Sequence, residues 1–282
     1  MRLTDLVIYP VKSFAPVPLG QVEIEPWGPA GDRRWMVVDA AGTMVSQRED
    51  PRLGQITASL PEPGVLELES GGERLRLSEP DGALLPVSVF GLGFELVDAG
   101  DAAAAWLRKV LGRELRLVHQ DRPERRPLEV TTSLADAYPL LVTSTASLDA
   151  LNELIALDHP DDPVKGAAVP MGRFRSNLVV RGAEAWAETG WRRIRVGEVE
   201  FEVVQQCGRC VMTTLDPATG ERRGPEPLRA LGRHRRFGRT LAFGMHLAPV
   251  GSGVVRVGDE VVVLAEGPLP EPEHLPERPF AV

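Results

Sequence analysis

Between residues 3 and 96 short apolar or alternating runs, LVIYPV, VEIE, WMVVD, ITASL, VLELE, RLRL and FELV, recur at close intervals, broken by Gly, Pro and Asp. Period-two alternation between turn residues predicts antiparallel strands. Strands this short and this regularly spaced build sandwiches or barrels. Asp101–Leu111 departs from the pattern, because Ala102, Ala105, Trp106 and Leu111 give a partial stripe at helical spacing. Asp101 is the expected cap of that helix and Gly112 its end. After a strand at 115–119, the polar stretch QDRPERRPLEVTTSLADAY carries Pro123 and Pro127 and is followed by Pro139. It predicts a long connection, so a domain boundary is expected near residue 120.

The second half restarts with a buried strand at 140–143 and a helix at 147–157, whose Leu148, Leu151, Leu154 and Ile155 share one face behind Ser147 as N-cap. NLVV predicts another strand, and RRIRV and VEFEVV a hairpin across Gly197-Glu198. Two further strands at 254–257 and 260–264 are joined across Gly258-Asp259. The predicted class is mainly β with peripheral α-helices (α+β). It divides into an N-terminal β-barrel domain at 1–120, a second β-barrel-like domain at 121–266 and an extended, proline-rich acidic tail at 267–282.

Composition narrows the picture. A chain of 282 residues, 43% hydrophobic and 26% charged, is in the range of two globular domains and excludes a disordered polymer. No run approaches the roughly 18 apolar residues of a membrane-spanning helix, and no secretory apolar stretch opens the chain, so no membrane role and a cytoplasmic location are expected. Thirty-two basic against 40 acidic residues give a net charge of −8, which repels polyanions and argues against a nucleic-acid partner. Two cysteines are too few for a disulfide framework.

Those cysteines sit together in Cys207-Gly208-Arg209-Cys210. A zinc site needs four ligands, and neither a second pair nor histidines at ligand spacing accompany them, since His234 and His246 are too far along. A thioredoxin-like pair should open a helix, whereas the β-branched stretch and turn of VMTTLDPATGE follow here. Two buried structural thiols remain an open reading. So does a thiolate favoured by the neighbouring Arg209, which would bind a soft metal only if a cofactor supplied the other ligands.

Basic residues supply a second candidate. Lys12 and Ser13 end a strand in YPVKSF, and Arg33 and Arg34 follow a Gly-Asp turn in GDRRW. Strand alternation through GRFRSNLVV would put Arg173, Arg175 and Asn177 on one face, offering a guanidinium fork and an amide to an anion. Taken alone, each reads by default as a solvated charge or turn residue at a strand end. No G-x-G-x-x-G follows a strand to suggest a nicotinamide or flavin site.

In their order along the chain, YPVKS, GDRRW with MVSQREDPRL, ADAYPLLVTSTASLDALN, FRSNLVV, RCVMTTLDPATGE and FGMHLAPVGSGVVRVGDEV resemble a known family. It comprises proteins with an N-terminal β-barrel followed by a molybdenum cofactor sulfurase C-terminal (MOSC) domain, the mitochondrial amidoxime-reducing components and their bacterial counterparts among them. The resemblance implies a molybdenum cofactor (Mo-molybdopterin) with Cys210 as the thiolate ligand of molybdenum. It also implies that Lys12, Ser13, Arg33, Asp136, Arg175 and Asn177 bind the pterin and its phosphate. The implied activity is reduction of N-hydroxylated compounds such as hydroxylamines, amidoximes and N-hydroxylated bases. Electrons would come from a separate donor protein, a reductase, a ferredoxin-like protein or a haem protein.

Alternatives are a non-catalytic cofactor carrier and a persulfide carrier using Cys207 or Cys210. Two departures from the family pattern stand out. Ser176 replaces the Pro of FRPN, and Asp136-Ala137-Tyr138 stands where some relatives have Asp-Thr-Ser, so hydroxyl contacts there are lost. Asp216, near the cysteines in sequence, also reads as a turn residue.

Overall fold

The computed structural model describes residues 1–272. Its spine is the antiparallel pair Val199–Gly208 and Thr240–Pro249, two ten-residue strands. Val199, Phe201 and Val203 alternate inward along the first of them and are buried, as expected where every second side chain faces the core. The pairing slips between Val203 and Gln205 and again between Gln206 and Gly208. Bulges of this kind re-aim side chains and end regular pairing. Cys207 lies within the second.

Around this pair runs a nine-stranded sheet in the order Val261–Glu266, Trp191–Val196, Val199–Gly208, Thr240–Pro249, Leu140–Ser144, Leu178–Arg181, Arg2–Ile8 and Val17–Pro18, with Arg236–Phe237 beside Thr240–Pro249. Arg2 bridges to Glu260, and Val261 N–H donates to Met1 O at 3.0 Å, so the sheet closes on itself. Leu3, Leu6, Ile8, Val142, Leu178, Ile194, Phe201 and Leu247 fill the interior. Each such side chain contributes roughly 1.5–3 kcal/mol by burial. The parallel pair Leu140–Ser144 and Leu178–Arg181 needs a crossover, which contains the helix Thr145–Asp158.

Smaller sheets make the rest. Trp35–Val38, Arg116–His119, Leu92–Asp98 and Leu84–Val89 form one of four strands. Thr57–Ser59, Val65–Ser70 and Glu73–Ser78 form another, and Trp106, Leu107 and Leu111 of the helix Asp101–Leu111 pack into the core beneath with Trp35, Leu53 and Leu66. The protein is thus mainly β with peripheral helices, in two β-rich parts.

Several local expectations need correction. Asp101 does not cap its helix; the cap is Gly100, while Gly112 at φ 66° ends it as expected. Ser147 lies inside the first turn of Thr145–Asp158, where its hydroxyl donates to the buried Glu188 Oε2 at 2.8 Å and accepts from Trp186 N–H. The two strands before the tail do not pair with each other. Gly253–Arg256 pairs with Gln21–Glu25, and Val261–Glu266 with Trp191–Val196, because each covers a different open sheet edge. Most of the expected tail at 267–282 lies outside the described residues.

Candidate functional site

A cavity of about 350 Å³ opens between loops of the two halves, lined by Lys12, Ser13, Arg33, Arg48, Asp136, Arg175, Asn177, Cys207, Arg209, Cys210 and His246 among others. The YPVKS segment reaches it by a turn in which Ser13 takes a left-handed φ of 72°. Lys12 is buried there, donating to Leu134 O at 2.7 Å and pairing with Asp136. Burial lowers the Lys12 ammonium despite that partner. For Asp136, burial pushes upward, but Lys12 and then Arg48 and Arg33 outweigh it and hold the carboxyl below its usual range. Asp136 therefore orients cations at the cavity.

Arg33 pairs with Asp32, whose carboxylate is fully buried and also accepts from Tyr9 N–H at 2.8 Å. Burial lowers Arg33, but Asp32 outweighs it and raises the group. The Arg33 and Arg175 guanidinium carbons lie 4.6 and 4.0 Å from the centre of the Tyr9 ring, which thus carries both cations.

Arg175 differs from Arg33 in having no carboxylate. Among the described residues it forms no ion pair, and its Nη1 donates to Phe14 O at 3.0 Å while its buried Nη2 has no hydrogen-bond partner. Burial, reinforced by Arg33, lowers it from 12.5 to about 10. Asp32 and Asp136 act on it only from a distance, so a guanidinium whose Nη2 is buried without a hydrogen-bond partner has room for an anion of its own.

The expected strand face through Arg173, Arg175 and Asn177 is not formed. Met171–Phe174 is a 3-10 turn, Arg175 is left-handed at φ 52°, and the strand starts only at Leu178. Arg173 consequently turns away and reaches Thr213 O, Thr214 O and Glu226 O at 3.3–3.4 Å. Asn177 stays at the cavity with its amide engaged: Nδ2 donates to Val7 O at 3.0 Å, and Oδ1 accepts from Leu141 N–H at 3.2 Å and Arg33 at 3.3 Å. It fixes the strands that carry the cations.

The two cysteines have unlike surroundings. Cys207 is buried at the end of Val199–Gly208, its Sγ accepting from Arg209 Nη1 at 2.8 Å. Burial pushes this thiol up, but Arg209 and His246 outweigh burial and bring it from 9.0 down to about 7. Cys210 is exposed, caps the 3-10 turn Val211–Thr214, and lies 3.3 Å from Arg48 Nη2. Arg48 and His246 went unassigned in the sequence. Arg48 lies within MVSQREDPRL, and only the folded loops bring it to Cys210. Asp216 accepts from Ala218 and Thr219 N–H and pairs with Arg223, which makes it a turn residue outside this cavity. Among the described residues, no three His, Cys, Asp or Glu side chains converge as a metal site. A metal at Cys210 would need its other ligands from a cofactor.

Two β-rich parts thus meet at one cavity lined by both cysteines and by Lys12, Arg33, Arg48, Arg175 and Arg209. Comparison with known proteins gives this arrangement its family. The MOSC N-terminal beta barrel domain matches residues 1–114, and the MOSC domain residues 129–262. The mitochondrial amidoxime-reducing component 1 of Homo sapiens is 32% identical over 301 residues, covering 94% of this chain and 83% of that protein. The molybdenum cofactor sulfurase of Danio rerio is 32% identical over 272 residues, covering 87% of this chain and 32% of that longer protein. Among solved structures, the YUAD protein from Bacillus subtilis aligns with a TM-score of 0.38 at 12% identity, over 92% of this chain and 93% of that one. The chain belongs to the MOSC family.

Proposed function

We propose that this protein is a cytoplasmic, molybdenum-cofactor-dependent reductase of N-hydroxylated compounds. Family membership ties it to molybdenum-cofactor-related redox chemistry, and the reaction R–NHOH + 2H⁺ + 2e⁻ → R–NH₂ + H₂O is our finer reading. The observation that carries it is the cavity in which Arg175, whose buried Nη2 has no hydrogen-bond partner, faces the same space as the accessible Cys210 thiol.

The residues present fit the cofactor. Arg175 offers a partnerless buried donor, with Lys12, Ser13 and Arg33 alongside, which suits a terminal phosphate of charge about −1.5 to −2. Cys210 offers the soft donor that molybdenum accepts from a protein thiolate. Once bound, the molybdenum cofactor supplies two-electron oxygen-atom transfer. The chain contributes orientation and charge: Asn177 fixes the strands, Asp136 holds Lys12 and Arg48, and Arg48 donates to the Cys210 sulfur. Cys207 and His246 stand on the same wall, where His246 helps Arg209 lower the thiol.

In this reading a separate electron-donor protein, a reductase, a ferredoxin-like protein or a haem protein, delivers the electrons. The test is steady reduction of hydroxylamine and benzamidoxime by cofactor-loaded protein with reduced benzyl viologen. Turnover is expected; a loaded protein that turns over neither would favour the carrier reading instead. The lowered Cys207 thiol favours a second reading, a sulfur carrier. A labile sulfur adduct on Cys207 of metal-free protein, seen by mass spectrometry, would support it.

A further inference from the structure

The strands Leu84–Val89 and Leu92–Asp98 are joined by Phe90 and Gly91, both at positive φ, 52° and 84°. Two left-handed central residues suit the twist of a hairpin, and such turns prefer Asn or Asp followed by Gly. A Phe in the first position is disfavoured, because its Cβ crowds the following carbonyl. Packing does not account for it. Phe90 is 60% exposed, and a Cβ added at Gly91 would meet nothing within 4 Å. A ring held in a disfavoured backbone and mostly exposed points to a use outside the hairpin.

Its neighbours show where that use lies. The Phe90 ring centre is 5.8 Å from Lys12 Nζ and 5.4 Å from the Arg48 guanidinium carbon. Both cations line the cavity, and Arg48 Nη2 is 3.3 Å from Cys210 Sγ. Allowing one C–N bond of about 1.3 Å, the ring centre lies within about 10 Å of that sulfur. On this side the wall is cationic, which disfavours a positively charged substrate; Tyr138 and Phe174 line the cavity itself, and Phe90 adds an exposed aromatic face next to Lys12 and Arg48.

We infer that Phe90 determines specificity by stacking the ring of a neutral, planar N-hydroxylated substrate, an aryl amidoxime or N-hydroxylated base, whose N–O group lies at the Cys210 end of the cavity. The inference rests on the reductase reading. A docked donor protein would use the same exposed ring differently, and the test separates the two.

Phe90→Asn creates the favoured Asn-Gly turn, so the hairpin is kept while the ring is lost; Phe90→Tyr keeps the ring. Binding of benzamidoxime to oxidised, cofactor-loaded protein is measured by calorimetry, and KM and kcat for benzamidoxime and hydroxylamine are measured with reduced benzyl viologen. Phe90→Asn should raise the Kd and KM for benzamidoxime roughly three- to tenfold, leave hydroxylamine turnover within about twofold, and keep the melting temperature, while Phe90→Tyr behaves as the parent. An unchanged benzamidoxime Kd in Phe90→Asn, or equal losses for both substrates, overturns the inference while leaving the reductase reading intact. A changed KM for a protein electron donor with unchanged benzamidoxime binding overturns it in favour of donor docking. Parent protein that reduces neither substrate overturns the reductase reading, and this inference with it.

Discussion

Arg48 and Cys210, 162 positions apart in the chain, meet with the guanidinium Nη2 3.3 Å from the thiol sulfur. The contact joins the first barrel to the cysteine turn, and Asp136 Oδ2 lies 3.8 Å from the same Nη2. A donor on a ligating sulfur draws electron density from it and orients it. Outer partners of metal ligands are typically worth about 10- to 100-fold in affinity or activity. Arg48→Met should therefore lower kcat by a factor in that range with the pterin still bound, and should shift the thiolate-to-metal absorption band. Unaltered kcat and an unaltered band would show that the contact has no bearing on the sulfur.

Arg33 and Arg175 face the same cavity but differ in their partners, and the difference predicts different losses. Arg175→Ala removes a cation with no carboxylate of its own, so the fold should persist while cofactor retention falls about ten- to hundredfold, the worth of a charge-assisted contact of roughly 1.5–3 kcal/mol. Arg33→Ala also strands the fully buried Asp32. Removing one partner of a buried pair costs about 3–5 kcal/mol, so Arg33→Ala should in addition melt earlier. Thermal melts and pterin content after dialysis, taken on both variants, check the pair of expectations. Full cofactor in both would mean that the anion site is elsewhere.

The Cys207 thiol titrates near 7 because Arg209 and His246 overcome its burial. In metal-free Cys210→Ser protein the remaining thiol should gain thiolate absorbance as pH rises through about 7, and lose it as pH falls below. Arg209→Gln removes the strongest lowering influence while burial stays, so the midpoint must move upward. A midpoint in Cys210→Ser at the ordinary value of 9.0 would contradict the geometry around Cys207.

What the sequence disclosed and what it hid follow from locality. Alternation and turn glycines are local, and they sufficed for the helix Asp101–Leu111 and the hairpin of Trp191–Val196 with Val199–Gly208. Partner choice is not local. Nothing near Leu3 announces that Arg2–Ile8 pairs with Leu178–Arg181, or that Gly253–Arg256 covers Gln21–Glu25. At the site, the resemblance supplied Lys12, Ser13, Arg33, Asp136, Arg175, Asn177 and Cys210, all of which line the cavity. It did not supply Arg48, whose place depends on two loops meeting, or the direction of Arg173, which one left-handed residue at Arg175 reverses. Arg209 was legible as a cation beside a thiol, and its partner proves to be Cys207.

The central claim is that Cys210 is the molybdenum ligand of an N-hydroxylated-substrate reductase, and activity per bound molybdenum in Cys210→Ser and Cys207→Ser tests it most directly. Both variants are purified from a host competent for cofactor synthesis, and metal content and benzamidoxime reduction are measured side by side. Cys210→Ser should bind pterin yet lose turnover and the thiolate-to-metal absorption, because a serine oxygen is a harder donor. Cys207→Ser should keep most of its activity, with at most a modest loss from the altered Arg209 and His246 contacts. An active Cys210→Ser beside an inactive Cys207→Ser would contradict the assignment and move the metal to the buried sulfur.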